Sequence, residues 1–186
     1  GDSAGIGPEI IAKAFRDAPQ VMQGCFVVGD VATLRRGAQA IGKPGDCALP
    51  VAVIASPDEV VGVPPRCIPV LQLPGIPGPA PWGAVSADAG RAAAMSVQWA
   101  ARAALRGEIA ALVTAPLHKE ALHAAGVDYP GHTELLQAEA AQHAGVGLAE
   151  MPVPMMLANN QLRTVLVSIH VSLRQAIEAV THDNIV

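Results

Sequence analysis

Short apolar runs alternate along the chain with longer segments that place apolar residues on one side of a helix. The short runs are residues 25–29, 51–55 and 67–71. Each is bounded by polar residues or glycine and has the length of a buried strand. We therefore expect three strands in the first half of the chain.

Three of the longer segments carry signals of a helix start. Pro8 and Glu9 place a proline and an acid in the first turn, where both are favoured. Asp30 is a capping residue for a helix that continues to about Ile41. Ser86 or Asp88 caps a long alanine-rich helix that ends near Arg106.

The rest of the chain continues this alternation. The fully apolar run at 110–114 predicts another strand, of the kind found in covered parallel sheets. Strands alternating with helices predict an α/β fold with a largely parallel sheet flanked by helices. The remaining predictions are helices at 117–125 and 131–144, strands at 155–158 and 164–168 joined by a turn at Asn159 and Asn160, and a helix from Ser172.

Composition excludes several classes of partner. The chain is 51% hydrophobic and 15% charged, which permits a sizeable core. A net charge of −4, with no cluster of more than two basic residues, gives no footprint for nucleic acid or an anionic membrane. No apolar run reaches the ~18 residues of a membrane span, and no secretory signal is visible.

The three cysteines are odd in number and lack CxxC spacing. Cys25 lies in an apolar run, so we expect a buried, reduced thiol there. Such usage fits the cytoplasm better than an oxidising compartment.

Two segments near predicted helix starts contain candidate anion-binding groups. Residues 1–7 form a glycine-rich turn in front of a helix, which lets the backbone approach a ligand closely. The turn is not a dinucleotide fingerprint, because Ile10 occupies the position of the third glycine. His118 and Lys119 follow a predicted strand end, where ligands bind in parallel sheets. The alternatives are a tight turn that binds nothing, and a helix-capping histidine beside a solvated lysine.

A further candidate site begins at Gly131, where His132 and Thr133 lie in the first turn of a predicted helix. Their side chains and the free backbone N–H groups there are able to surround one anionic oxygen. A plain surface helix start is the alternative. His170 ends an apolar run and is a candidate metal ligand, but a protein metal site needs more ligands than one histidine.

Five segments together resemble, in order, motifs of the 4-hydroxythreonine-4-phosphate dehydrogenase family. The opening turn is also similar to that of the isocitrate and isopropylmalate dehydrogenases, which share the fold. The segments are GDSAGIGPE at 1–9, TAPLHK at 114–119, AG at 125–126 with PGHTE at 130–134, MMLA at 155–158, and SIHVSLR at 168–174.

The resemblance implies an oxidation of 4-phosphooxy-L-threonine by NAD or NADP, followed by decarboxylation to 3-amino-2-oxopropyl phosphate. It implies a divalent metal, Zn, Mg or Co, that polarises the alcohol oxygen. By position, His132 and Thr133 would bind this small phosphorylated hydroxy-amino acid, and His170 would be one metal ligand. His118 and Lys119 are a weaker transfer to the same pocket. A homodimer is also implied, in the cytoplasm that the cysteine usage already indicates.

The chain departs from the family pattern at Ser3 and Ser172, where proline is usual, and in its length. We expect residues 1–186 to be the N-terminal part of a two-lobed dehydrogenase, with the other metal ligands and most of the cofactor site beyond Val186. Such a chain is expected to be inactive alone. Two alternatives stay open: a paralogous enzyme for a four-carbon sugar-acid phosphate or a dihydrodiol carboxylate, and a non-catalytic binding or dimerisation module.

Overall fold

The computed structural model describes residues 1–42, 45, 47–169 and 171–185, and it contains a three-stranded parallel sheet. Strands β1 (Val27–Gly29), β2 (Val51–Ile54) and β3 (Ile68–Gln72) lie in the order β1-β3-β2. Val70 of the central strand is in register with Val27 on one side and Val53 on the other. All three strands predicted in this half are confirmed.

Helices cover both faces of this sheet. The side chains of β3 alternate in direction, so each face of the sheet offers apolar residues to a helix. Ile68 and Val70 pack with α1 (Gly7–Asp17) and α2 (Val31–Ala40) in one core cluster. Leu71 packs in a second cluster with α3 (Ala87–Leu105). The predicted α/β class, with a parallel sheet flanked by helices, is confirmed.

Two further helices, α4 (Lys119–Ala124) and α5 (His132–Ala144), pack against α3. Gly90 lets α4 approach closely, because a β-carbon at this position would overlap the backbone carbonyl of Ala121. Arg102 of α3 binds Glu139 of α5 through two hydrogen bonds of 2.7 and 3.0 Å. The helix that begins at His132 is therefore anchored to the body of the fold.

The remaining elements form the C-terminal region. Strands β4 (Met156–Ala158) and β5 (Arg163–Val165) make an antiparallel hairpin, as the predicted turn at Asn159 suggests. Helices α6 (Leu173–Glu178) and α7 (His182–Ile185) follow it. The helix predicted from Ser172 is confirmed, and the structure shows that the Ser172 side chain caps it. Short 3₁₀ turns occupy Pro57–Gly62 and Leu148–Glu150.

The structure contradicts two of the expectations. Residues 110–114 form no strand, and Val113 is 94% exposed, because no described strand lies beside this run to pair with it. Cys25 is exposed rather than buried, since β1 begins only at Val27. Across the described residues, no helix combines the length and the apolar character that a membrane crossing requires.

Candidate functional site

The glycine-rich turn at residues 1–6 packs directly against the segment that leads into α4. The backbone N–H of Asp2 donates to the carbonyl of Pro116 at 2.8 Å. Gly1 lies so close to Ala115 that an added β-carbon would come within 2.6 Å of the alanine side chain. The turn is also braced internally, because the Asp2 carboxylate accepts from the Ala4 N–H at 2.9 Å. Two segments more than one hundred residues apart in the sequence thus meet at one place.

His132 belongs to the same place. It is the first residue of α5, and Gly131 before it is buried with an extended backbone. The Nε2 atom of His132 is buried and has no hydrogen-bond partner. Burial lowers the pKa of His132 below its usual value, and the nearby backbone of Ala115 partly offsets that effect. At neutral pH the ring is therefore neutral, with one buried polar atom available to a ligand.

Thr133 follows His132 in the first turn of α5 and is half-buried. The first backbone N–H groups of a helix have no carbonyl partner within that helix. Because α5 is 13 residues long, its N-terminus also carries a partial positive charge that favours anions. The start of α5 and the glycine-rich turn thus meet at Ala115, whose backbone contacts His132 and whose side chain packs on Gly1.

His118 and Lys119 lie at the start of α4, and both are exposed. His118 is at the N-cap position, but its side chain makes no capping hydrogen bond. The predicted helix start is confirmed, and the capping role for the His118 side chain is wrong. Pro116, which accepts the hydrogen bond from Asp2, is only two residues away, so this pair stays close to the turn.

The predicted metal ligand His170 lies outside the described residues. Among the residues that the structure does describe, no three His, Cys, Asp or Glu side chains are grouped closely enough to hold a metal ion. Convergence of His132 and His170 on one ligand stays a prediction.

Sequence reasoning missed a contact made by Arg36 of α2. Its guanidinium donates to the carbonyl of Ser3 at 2.8 Å and to that of Ala80 at 2.6 Å. The same group lies 4.0 Å from the centre of the Trp82 ring. Helical periodicity places Arg36 at the margin of the buried face, beside buried Gly37, but no spacing in the sequence points to Ser3.

A small cavity lies behind the turn, with a volume of about 40 Å³. It is lined by Ser3, Gly7, Asp30, Ser96 and Ala115, among other residues. The Ser3 hydroxyl is buried without a hydrogen-bond partner. This volume has room for an internal water molecule rather than for a substrate.

Comparison with known proteins matches residues 21–186 to the family model described as pyridoxal phosphate biosynthetic protein PdxA. A 4-hydroxythreonine-4-phosphate dehydrogenase of Beijerinckia indica is 42% identical over 95% of this chain and 48% of its own. A D-threonate 4-phosphate dehydrogenase of Bordetella bronchiseptica is 42% identical over 97% of this chain and 48% of its own. A crystal structure of 4-hydroxythreonine-4-phosphate dehydrogenase from Klebsiella pneumoniae has a TM-score of 0.79 and 36% identity. It aligns with 100% of this chain and 53% of its own, so this chain spans about half the length of its relatives.

Proposed function

Since this chain belongs to the PdxA family of pyridoxal phosphate biosynthetic proteins, we propose that it forms the substrate-binding part of a 4-phosphooxy-L-threonine dehydrogenase. The observation that carries the proposal is the buried, unpartnered Nε2 of His132 beside the glycine-rich turn. A buried polar atom without a partner costs free energy, and an oxygen of the bound substrate would remove that cost. His132 and Thr133 are the proposed substrate-binding residues.

In the proposed reaction the secondary alcohol of the substrate is oxidised to a ketone. Its C–H hydrogen leaves as hydride for the nicotinamide of NAD or NADP, and the hydroxyl proton goes to a base or to water. The resulting β-keto acid loses CO₂ and gains a proton to give 3-amino-2-oxopropyl phosphate. The contribution of His132 and Thr133 is to hold the anionic end of the substrate with neutral donors in the first turn of α5.

A divalent cation, Zn, Mg or Co, would supply polarisation of the alcohol oxygen, which lowers the pKa of the alcohol. His170 is the proposed ligand from this chain. The described residues offer no group of three ligands for this ion. We further propose that the 186-residue chain by itself binds substrate without turnover, because its relatives are about twice as long.

A cytoplasmic homodimer is also part of the proposal. The hairpin β4–β5 supports the dimer, because Met156 and its cross-strand partner Val165 are 57% and 50% exposed and offer an apolar surface to a second copy. Sedimentation at increasing protein concentration tests this point. A chain that stays monomeric at concentrations of about 100 μM would contradict a dimer of useful affinity.

D-threonate 4-phosphate is a second candidate substrate. Relatives with that name are as similar to this chain as those named for 4-hydroxythreonine 4-phosphate. The two substrates share a phosphate and a hydroxy acid, so the same donors of α5 serve both. The difference lies at the second carbon, which carries an amino group in one and a hydroxyl in the other.

Isothermal calorimetry with both phosphorylated compounds, with and without Mg²⁺ or Zn²⁺, tests the proposal. We expect His132→Gln and Thr133→Val to weaken binding about tenfold each, the loss of roughly one hydrogen bond to a charged group. His143→Gln on the exposed side of the same helix is the matched control and should bind as wild type. Absence of binding by the folded wild-type chain, with either compound and either metal, would refute the proposal.

A further inference from the structure

We propose that Arg36 is a positioning residue, which holds the glycine-rich turn against Ala115 and Pro116 in the arrangement that His132 requires. The effect on substrate binding by His132 rests on the proposed function, whereas the contacts of Arg36 lie within the fold itself.

The guanidinium of Arg36 is held by three contacts. Arg36 uses its two terminal nitrogens on two different segments: Nη2 donates to the carbonyl of Ser3, and Nη1 donates to the carbonyl of Ala80. Its planar face lies 4.0 Å from the centre of the Trp82 ring. One side chain of α2 thus joins the turn to the loop that contains Ala80 and Trp82.

A backbone hydrogen bond also joins that loop to the turn. The N–H of Gly83 donates to the carbonyl of Ala4 at 2.9 Å. Consecutive carbonyls of the turn, those of Ser3 and Ala4, are therefore bound by α2 and by the loop. We name residues 74–84 the strap, because this loop crosses the turn and is fastened to it by Arg36 and Gly83. The strap itself contains no helix or strand.

The turn is connected to His132 through Ala115 and Pro116. The N–H of Asp2 donates to Pro116, and Gly1 packs on Ala115. A hydrogen bond between the Ala115 backbone and the imidazole raises the pKa of His132 and sets the ring against Ala115. A turn that moves away from Ala115 would therefore change the surroundings of His132.

The chemistry of arginine explains why this residue fits the position. A guanidinium is planar, forks to two acceptors in a fixed geometry and stacks on an aromatic ring at the same time. An ammonium keeps the charge and can reach one carbonyl, but it has no planar face to stack on Trp82. Arg36→Lys should therefore retain only part of the function, and Arg36→Met should lose it.

The test uses the full 186-residue chain with four substitutions, each made in a separate variant. Arg36→Met removes the contacts of Arg36 with Ser3, Ala80 and Trp82, and Arg36→Lys keeps the charge without the planar group. Arg35→Met is the matched control, because Arg35 is the exposed neighbour on the same helix. Ile54→Val, in the core and away from the turn, reports the effect of a general loss of stability.

Three readouts are measured: hydrogen exchange of the amides of residues 2–6, the titration of His132 by NMR, and calorimetry with 4-phosphooxy-L-threonine. In Arg36→Met we expect about tenfold faster exchange of the turn amides and about tenfold weaker binding, as for one lost hydrogen bond. The His132 titration should also move from its wild-type midpoint, and Arg36→Lys should lie between the two. Arg35→Met and Ile54→Val should leave the titration of His132 unchanged.

A folded Arg36→Met chain with wild-type turn exchange and a wild-type His132 titration would overturn the inference. The same holds if Ile54→Val moves the titration as far as Arg36→Met does, because the effect would then be one of stability alone. If the wild-type chain binds no phosphorylated substrate, the proposed function fails. The exchange and titration measurements still decide whether Arg36 positions the turn.

Discussion

At the scale of single residues, the environment of His132 sets how its side chain ionises. Burial disfavours the imidazolium and lowers the pKa of the ring, so the proton is held less tightly in the folded chain than in the unfolded chain. A neutral ring suits a role as hydrogen-bond donor to an anionic substrate, because it avoids a buried charge before the substrate arrives. As a consequence, the stability of the ligand-free protein decreases in acid.

We predict that the free energy of unfolding falls as the pH drops below about 6.5, the ordinary histidine value, where the unfolded chain begins to take up the proton first. The loss from this group is complete once the pH is below the lowered pKa of the folded state. His132→Gln removes the titrating group, so its stability should fall less between pH 7 and pH 5. Urea unfolding at several pH values in that range measures the slope of the free energy of unfolding against pH. Thr133→Val should keep the wild-type slope, and an equal slope in His132→Gln would contradict the prediction.

Residue-level signals in the sequence were strong where local chemistry decides. Gly131 and His132 begin a helix as predicted, and Asp30 caps α2 through the Thr33 N–H at 2.7 Å. Arg36 could not be found in this way, because its partners Ser3 and Ala80 are 33 and 44 residues away. Contacts of that kind depend on how the helices pack and leave no periodic mark in the sequence.

At the scale of elements, α3 carries both helices that lead to the candidate site. Gly90 admits α4, and the pair of Arg102 and Glu139 fastens α5. The side chain of Glu139 is only 6% exposed, whereas that of Arg102 is 51% exposed. The hydrogen bond to Glu139 raises the pKa of Arg102, so the guanidinium stays charged at any pH at which the protein folds.

We predict that Arg102→Met lowers the free energy of unfolding by about 1–3 kcal/mol, because it leaves a buried carboxylate without its donor. This range lies at the lower end for such pairs, since water reaches the exposed side of Arg102. The double change Arg102→Met with Glu139→Leu should recover most of the loss. Arg91→Met, which breaks an exposed pair with Asp88 on the same helix, should cost less than about 0.5 kcal/mol. Urea unfolding measures all four chains, and equal losses for Arg102→Met and Arg91→Met would refute the prediction.

Elements were predictable where their signals are local. Asp30, Ser86 and Ser172 each accept a backbone hydrogen bond at the start of a helix. The sequence predicted Asp30 as a cap, either Ser86 or Asp88 as a cap, and a helix that starts at Ser172. Residues 110–114 have the composition of a strand but do not form one. A strand needs a neighbour, and the identity of that neighbour is not encoded in the run itself.

At the scale of the whole molecule, the core ends well before the chain does. The sheet, α1 to α3 and the two core clusters lie within the first 105 residues, and α4 and α5 extend the packed region to residue 144. Among the described residues of 151–185 none is buried. Few buried contacts mean that this region opens at little cost in free energy.

We predict that a low concentration of protease cleaves first within residues 152–185 and leaves a resistant product that retains α5. Mass spectrometry of a time course identifies the first cuts, and the candidate site around His132 should survive them. Cleavage within α1 to α3 at the same rate would contradict the prediction. Protection of 152–185 that rises with protein concentration would show that a second copy covers this region.

The unpaired run at 110–114 has a consequence for the behaviour of the chain in solution. Its apolar side chains are largely in contact with water, Val113 at 94%, and its peptide groups have no ladder among the described strands. A stretch that prefers extended structure and lacks a charged residue is a template on which other polypeptides add as strands. Concentrated samples should therefore aggregate through residues 110–114 while the protein is still folded. On heating, turbidity should rise at a lower temperature than that of the unfolding transition.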